Sequence, residues 1–536
     1  MNKSQFQQLK QYVGPNLLNY ILNYAKITSK SDYDQLELLP VQVEVLDDLH
    51  TKIQQCRIQF IVQGGFGDGV DFYLRQITSN GTSLFNHYRQ LCGGQLASPT
   101  STDPLTSHLQ QICIREYPNL LMKSSGTSYP PPWIGMNLGI NGYDEIIRLV
   151  KNDVLDQITN KKDGLDYAFQ FSTTDGLEFN SQVCTACSSI ITRSFYDSCN
   201  RMDYSLSSVL KAIEENIDAM RQLANGQQVT YSSFIGIRGL QFRGFDTIEF
   251  PGSMLRQFPD DANPSMHTGR TVVSHSGNEA GEYSGHVLEV FHSTKISSTT
   301  GVVNTGNSIE TNRFQENELQ KLRFAVVFSS LANRGPVPTF FEIGFPLVNP
   351  GNYSFSDGHP GNYILIDEAT KTKLVEWYDA LSNKDLERVQ TPLKRLQYAI
   401  FERRKPEDAI VDAIIAWEGM FSEAFETTFK VTGSMAKFLR SGLKRGEFFE
   451  RLKKLYGLRN DLVHGRTSKL LKEENIEDVR AEVINIGLEC IMKIISNDRL
   501  LSMSSAERIE AILVLDQTNN SSTQQAAASD NLSGTD

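Results

Sequence analysis

Every one of the 18 prolines in this chain lies at or before Pro406, and none follows it. Proline removes a backbone donor and clashes with the preceding helical turn, so a long proline-free stretch can be helical throughout. The hydrophobic pattern uses that freedom. Apolar residues recur three and four apart across 409–425, 435–443, 448–463 and 479–495, the signature of helices that each bury one stripe. From 367 to about 515 the sequence therefore predicts an antiparallel bundle of four or five helices.

A chain of 536 residues is too long for one core, and it reads as a multidomain α+β protein. Residues 1–225 form a mixed region. Helical periodicity marks 17–25, 41–53, 143–159 and 206–223, while 57–62 and 70–77 read as strands around a glycine-rich turn. A loop or linker spans 124–142, with Pro130, Pro131 and Pro132 in a row. Residues 226–366 read as β-rich, because short alternating segments such as 239–246, 287–291 and 323–328 are split by Gly, Asn, Ser and Pro. Within them 297–311 reads as a long loop. Residues 367–516 are the helical bundle, and the polar tail 517–536 is predicted to be disordered.

The net charge of -11 excludes binding of nucleic acid by overall basicity, so any RNA contact must come from a local basic patch. Seven scattered cysteines, an odd number without framework spacing, point to a reducing compartment. The first residues lack the apolar stretch of a signal peptide, and no run approaches the ~18–20 apolar residues of a membrane span. The expected location is cytoplasmic, with no membrane partner.

One segment concentrates reactive chemistry. Arg459, Asn460 and His464 fall within about one and a half helical turns, and Gly465 follows at once. Imidazole moves protons near neutral pH and guanidinium holds phosphate, so the pair can cut a phosphodiester without a metal. Leu452, Leu455, Tyr456, Leu462 and Val463 are the expected buried stripe, with Arg459 on it. A guanidinium there is costly unless an anion or partner group meets it. His464 lies about 140° around the helix from Arg459 but one turn below Asn460, so Asn460 is expected to orient the imidazole. Gly465 is expected to end the helix and leave the ring exposed at its tip.

One copy of this segment lacks the base, acid and charge stabilisation that in-line attack by a ribose 2′-hydroxyl requires. A two-fold dimer apposing two helix ends would supply them. Lys437, Arg440, Lys444, Arg445, Arg451, Lys453, Lys454 and Arg466 make the surroundings basic, diluted by Glu447 and Glu450. Among these, Lys453, Lys454 and Arg466 are the candidate RNA contacts. The bland alternative is a chance spacing, with His464 serving the helix macrodipole.

The run from Leu455 through Tyr456, Arg459 and His464 to Gly465 resembles the Apea-like branch of the HEPN superfamily. Members carry a Leu-Tyr-x2-Arg-x4-His-Gly signature late in a helical bundle. Residues 409–421 look like that family's first long helix, and 435–443 also fits, so the resemblance covers roughly 409–495. It implies a metal-independent endoribonuclease that needs no cofactor, acts on RNA as a homodimer, and belongs to a class common in bacterial toxin and antiphage systems. Arg459 and His464 match the family's catalytic pair, and Asn460 matches the polar residue after the arginine. Some relatives are binding modules, so the alternative is a non-catalytic RNA- or protein-binding domain. By the same analogy residues 1–366 would sense a trigger ligand or protein, or restrain the nuclease.

Other residues read more plainly. Glu418 reads by default as a solvated helix-face carboxylate, the alternative being a partner for the arginine. Cys184, Cys187 and Cys199 lack a fourth ligand at zinc spacing and read as buried thiols. Gly64, Gly65, Gly67 and Gly69 lack the Lys-Ser/Thr of a phosphate loop. His267, His275, His286 and His292 read as loop or strand-surface residues. No strand-borne carboxylate cluster suggests Mg²⁺-dependent nucleotidyl transfer.

Overall fold

The computed structural model describes most of the chain from Phe6 to Leu515. Residues 1–5, 24–37, 63–73, 123–138, 161–166, 259–284, 300–308, 348–352, 355–362, 423–426 and 516–536, with a few isolated positions, lie outside the description. The expected glycine-rich turn, most of the strand at 70–77, most of the 124–142 linker, His267, His275 and the C-terminal tail all fall there. The described residues form two compact units, each assembled from separate stretches of chain. The first comprises Met1–Arg238, Asp246–Asn317 and Pro338–Gly358; the second comprises Gly239–Phe245, Glu318–Val337 and His359–Asp536.

The first unit combines helices α1 (Pro15–Leu22), α2 (Pro40–Val62), α3 (Leu84–Leu91), α4 (Pro104–Leu121), α5 (Gly139–Lys151), α6 (Val183–Asn200) and α7 (Leu206–Ala224) with two larger sheets and a small antiparallel pair, Thr78–Ser79 with Thr82–Ser83. Several starts follow from the residue types. Asp103 caps α4 by accepting the Thr106 N–H at 2.9 Å ahead of Pro104, and Ser205 caps α7 through Ser208 N–H. Strands β1 (Ala168–Thr173), β2 (Glu178–Gln182), β3 (Val229–Arg238), β4 (Thr247–Phe250), β5 (Ser253–Phe258), β6 (Gly285–Thr294), β7 (Ile296–Ser298), β8 (Val337–Ile343) and β9 (Tyr353–Ser354) make a three-stranded sheet, β7-β1-β2, and a six-stranded sheet, β9-β8-β3-β6-β5-β4. β3 and β6 pair antiparallel in one unbroken register from Val229–Thr294 to Ile237–His286.

Helix α6 runs through this unit with every residue except Thr185 buried. Several of its polar side chains bond within the helix or to neighbouring elements, Arg193 Nη1 donating to the Ile343 carbonyl at 3.0 Å. Ser188 and Ser189 hydroxyls donate to carbonyls one turn back, and Arg193 pairs with Asp197 at 2.7 Å. Cys184, Cys187 and Cys199 are buried thiols of this helix outside any disulfide. Burial pushes the Cys184 thiol up to about 11 and Cys187 higher still.

Several sequence expectations change, among them the linker at 124–142, where helix α5 already begins at Gly139, and the loop at 297–311, where a helix begins at Ile309. Residues 57–62 continue helix α2 rather than forming a strand. Residues 323–328 lie in helix α8 (Ile309–Ser330), not in a strand. Phe324, Ala325, Val326, Val327 and Phe328 are all buried, and a helix buried on every side gives the same apolar run as a buried strand. His286 and His292 are core residues of β6 rather than surface ones. His292 stacks on Tyr231 with centroids 4.7 Å apart and meets the Ser233 hydroxyl at 2.6 Å.

The second unit is helical apart from a short parallel pair, Leu240–Phe242 with Ile364–Ile366. After α8 come α9 (Glu368–Asn383), α10 (Gln390–Gln397), α11 (Pro406–Phe421), α12 (Thr427–Leu439), α13 (Lys444–Val463), α14 (Ile476–Ile495) and α15 (Ser505–Leu513). Pro406 opens α11 at its first position, with Glu407 and Asp408 in the first turn where the helix dipole favours them. Trp417 of α11 is fully buried, and Gly487 of α14 lets that helix close on it: a Cβ there would sit 3.1 Å from the indole nitrogen. The buried Asp412 carboxylate is met by Arg395 at 2.8 Å and Arg403 at 2.6 Å. Among the described residues no helix is long and apolar enough to cross a membrane.

Candidate functional site at the end of helix α13

Helix α13 ends as its sequence dictates. His464 is the C-cap, and Gly465 takes the left-handed conformation with φ 64°. The Arg466 N–H reaches the Asp461 carbonyl at 2.8 Å and the Gly465 N–H reaches Leu462 at 3.2 Å. These are the two bonds of a Schellman closure, which satisfy carbonyls the helix end would otherwise leave open. The closure turns the chain away and leaves the His464 side chain exposed, with no hydrogen-bond partner among the described residues.

The buried stripe of α13 is Leu452, Leu455, Tyr456 and Leu458. Leu462 is only half-buried and Val463 is 54% exposed, contrary to expectation, because the last turn projects beyond its packing partners: Asn460 and His464 are exposed there too. Arg459 sits at the boundary, 29% exposed.

The Arg459 guanidinium is under-partnered. Its Nη1 donates to Asn460 Oδ1 at 3.2 Å. Its Nη2 lies 3.8 Å from Glu418 Oε2, and its Nε is buried with no partner among the described residues. Asn460 therefore engages the arginine through its side chain. Its bond to His464 is a backbone one, from the His464 N–H to the Asn460 carbonyl at 3.1 Å.

Glu418 of α11 is a partner of the site rather than a solvated carboxylate. It is 21% exposed, and its Oε1 accepts the Tyr456 hydroxyl at 2.5 Å. Burial, then the bond to Glu418, push the Tyr456 phenol well above its ordinary range, so it stays a donor. Tyr456 and Arg459, three residues apart, lie on adjoining faces of α13, and both meet this one carboxylate 38 or more positions upstream. Spacing within the helix was the only sequence signal of that meeting.

The basic surroundings are thinner than the sequence suggests. Arg440 is forked onto Glu489 at 2.7 and 2.9 Å, and Arg451 is held by Glu474 at 2.6 Å and Glu482 at 2.5 Å. Lys437 donates to the Leu513 carbonyl. The candidate RNA contacts Lys453, Lys454 and Arg466 remain exposed, Lys453 beside Glu450 at 3.2 Å. Among the described residues no group of three or more His, Cys, Asp or Glu side chains could hold a metal ion. No family model, curated protein or solved structure matches the chain.

Proposed function

We propose that this chain is a metal-independent endoribonuclease of the HEPN type, acting as a homodimer on RNA. The observation that carries the reading is an arginine whose guanidinium is under-partnered, a little over one turn before an exposed histidine with no hydrogen-bond partner among the described residues at the helix tip. The Nη2 group makes no hydrogen bond among the described residues and is reachable from the surface, so a phosphodiester oxygen would find a charged donor there. In the reaction the ribose 2′-oxygen attacks the adjacent phosphorus. The new 2′-O–P bond forms as the P–5′-O bond breaks, leaving a 2′,3′-cyclic phosphate and a 5′-hydroxyl. One His464 accepts the 2′-hydroxyl proton, the histidine of the second copy protonates the leaving oxygen, and the Arg459 guanidiniums stabilise charge on the phosphoryl oxygens. Val463, apolar yet 54% exposed next to His464, gives the tip a surface that a second copy would cover. Seven buried cysteines, none in a disulfide, fit a cytoplasmic protein, and a toxin or antiphage effector with a sensing N-terminal unit fits the resemblance. Expressing wild type and His464→Ala and comparing cellular RNA integrity and host growth tests this. Equal RNA loss from both removes His464 from the mechanism.

A second reading, a non-catalytic binding module, draws on the exposed Lys453, Lys454 and Arg466. It expects RNA binding that survives His464→Ala and falls in the Lys453→Ala, Lys454→Ala double variant.

A further inference from the structure

Two donors of helix α13 compete for one carboxylate of α11. Tyr456 holds Glu418 Oε1 at 2.5 Å, whereas Arg459 Nη2 stands 3.8 Å from Oε2. N–H···O hydrogen bonds fall at 2.7–3.2 Å, so the second contact is an ion pair without a hydrogen bond. This is an unusual outcome for such a pair. Arginine and carboxylate prefer two parallel, charge-assisted bonds, and those outrank a bond from a neutral phenol. Arg459 has the donors to spare, because among the described residues Nη2 makes no hydrogen bond, Nε is buried with no partner, and Nη1 meets only the Asn460 amide oxygen. Tyr456 is itself 5% exposed and packed into the stripe with Leu452 and Leu455, so its hydroxyl is fixed in place.

We propose that Tyr456 holds the Glu418 carboxylate off Arg459, so that the guanidinium is aimed by the charge but keeps its Nη2 donors unbonded for the substrate phosphate. Glu418 and Tyr456 are thus positioning residues, and the assignment rests on the ribonuclease reading for the identity of that phosphate. Glu418 sets the direction of the arginine; Tyr456 prevents the carboxylate from competing with the substrate for it. The two residues work in opposite senses on binding. Without the hydroxyl, Oε1 is released and the guanidinium closes onto Glu418, so substrate must displace a formed pair. Without the carboxylate charge, the guanidinium is easier for an anion to capture but is less well directed.

Tyr456→Phe keeps the buried ring, and Glu418→Gln keeps an acceptor for the Tyr456 hydroxyl, so each variant changes one interaction. With the full chain and a short RNA oligonucleotide, Tyr456→Phe should raise KM about tenfold with kcat little changed, the size expected of one new charge-assisted bond. Glu418→Gln should lower kcat about tenfold with KM unchanged or reduced. A purely structural role would reduce stability in both without splitting the constants in opposite directions. A crystal structure of Tyr456→Phe supplies a readout independent of cleavage: the Arg459–Glu418 separation should contract from 3.8 Å to hydrogen-bond length. Contraction in a chain that cleaves no RNA would uphold the competition and sink the ribonuclease reading. An unchanged separation would overturn the proposal even in an active nuclease. Should Tyr456→Phe fail to fold, binding of a 2′-deoxy oligonucleotide by Glu418→Gln decides: about threefold tighter binding supports the proposal, and unchanged or weaker binding overturns it.

Discussion

Replacing Arg459 by methionine should abolish RNA cleavage while leaving the fold as stable as before, and the structure gives the magnitude. The buried Nε without a partner costs about 1–3 kcal/mol in lost hydration. Against it stand one bond to the exposed Asn460 amide at 3.2 Å, worth roughly 0.5–1 kcal/mol, and the Glu418 pair. That pair is 3.8 Å long between side chains 29% and 21% exposed, so solvent screening reduces it to about 0.5 kcal/mol or less. Glu418 keeps its bond from Tyr456 after the change, and methionine retains the packing of an unbranched stem. The balance runs from about 0.5 kcal/mol against methionine to about 2.5 kcal/mol in its favour. Urea unfolding followed by tryptophan fluorescence is a suitable assay, since Trp377 and Trp417 both belong to the second unit. An arginine that braced the bundle through a buried ion pair would instead lose about 3–5 kcal/mol on truncation. A loss of that size, or cleavage that survives the substitution, would refute the reasoning that Arg459 is held in reserve for a ligand.

Other outcomes follow from particular contacts. Gly465→Ala should cost about 1 kcal/mol, because φ 64° strains any residue with a Cβ although open space surrounds the position; thermal unfolding should show Gly465→Asn nearer to wild type. The buried His286 ring, whose pKa is depressed by burial from 6.5 to about 4, favours the folded state fully above pH 6.5. As pH falls toward 4 the unfolded chain takes up the proton first, so up to about 3 kcal/mol should be lost across that window and the slope should flatten in His286→Leu. In gel-shift titrations with RNA, Lys453→Ala combined with Lys454→Ala should weaken binding and reduce its salt dependence by about two phosphate contacts at most.

The C-terminal helices were legible because each buries one stripe and its breaks carry recognisable residues. Pro406 begins α11, and Gly465 closes α13. Strand β6 and the short strand Leu240–Phe242 were legible for the corresponding reason, alternation within the segments 287–291 and 239–246. Helix α6 was not. Its run of Cys, Ser, Thr, Arg and Asp shows no apolar stripe, and its burial is helped by polar groups that bond within the helix and to residues far along the chain, such as Arg193 to the Ile343 carbonyl. The run 323–328 was misleading because an apolar stretch buried on all sides carries no period. At the site, the local geometry of the Gly465 end was readable from residue types, whereas Glu418, Glu474, Glu482 and Glu489 meet their partners only through tertiary packing. A reading along the chain also has no means of showing that Gly239–Phe245 and Glu318–Val337 join the C-terminal unit.

The central claim is that His464 performs proton transfer in RNA cleavage without a metal. The direct measurement is incubation of the purified full chain with a defined RNA in excess EDTA, with analysis of product ends. Wild type should yield 2′,3′-cyclic phosphate and 5′-hydroxyl ends, and His464→Ala should yield none above background. Cleavage by His464→Ala at the wild-type rate, or products bearing 5′-phosphate ends, would contradict it.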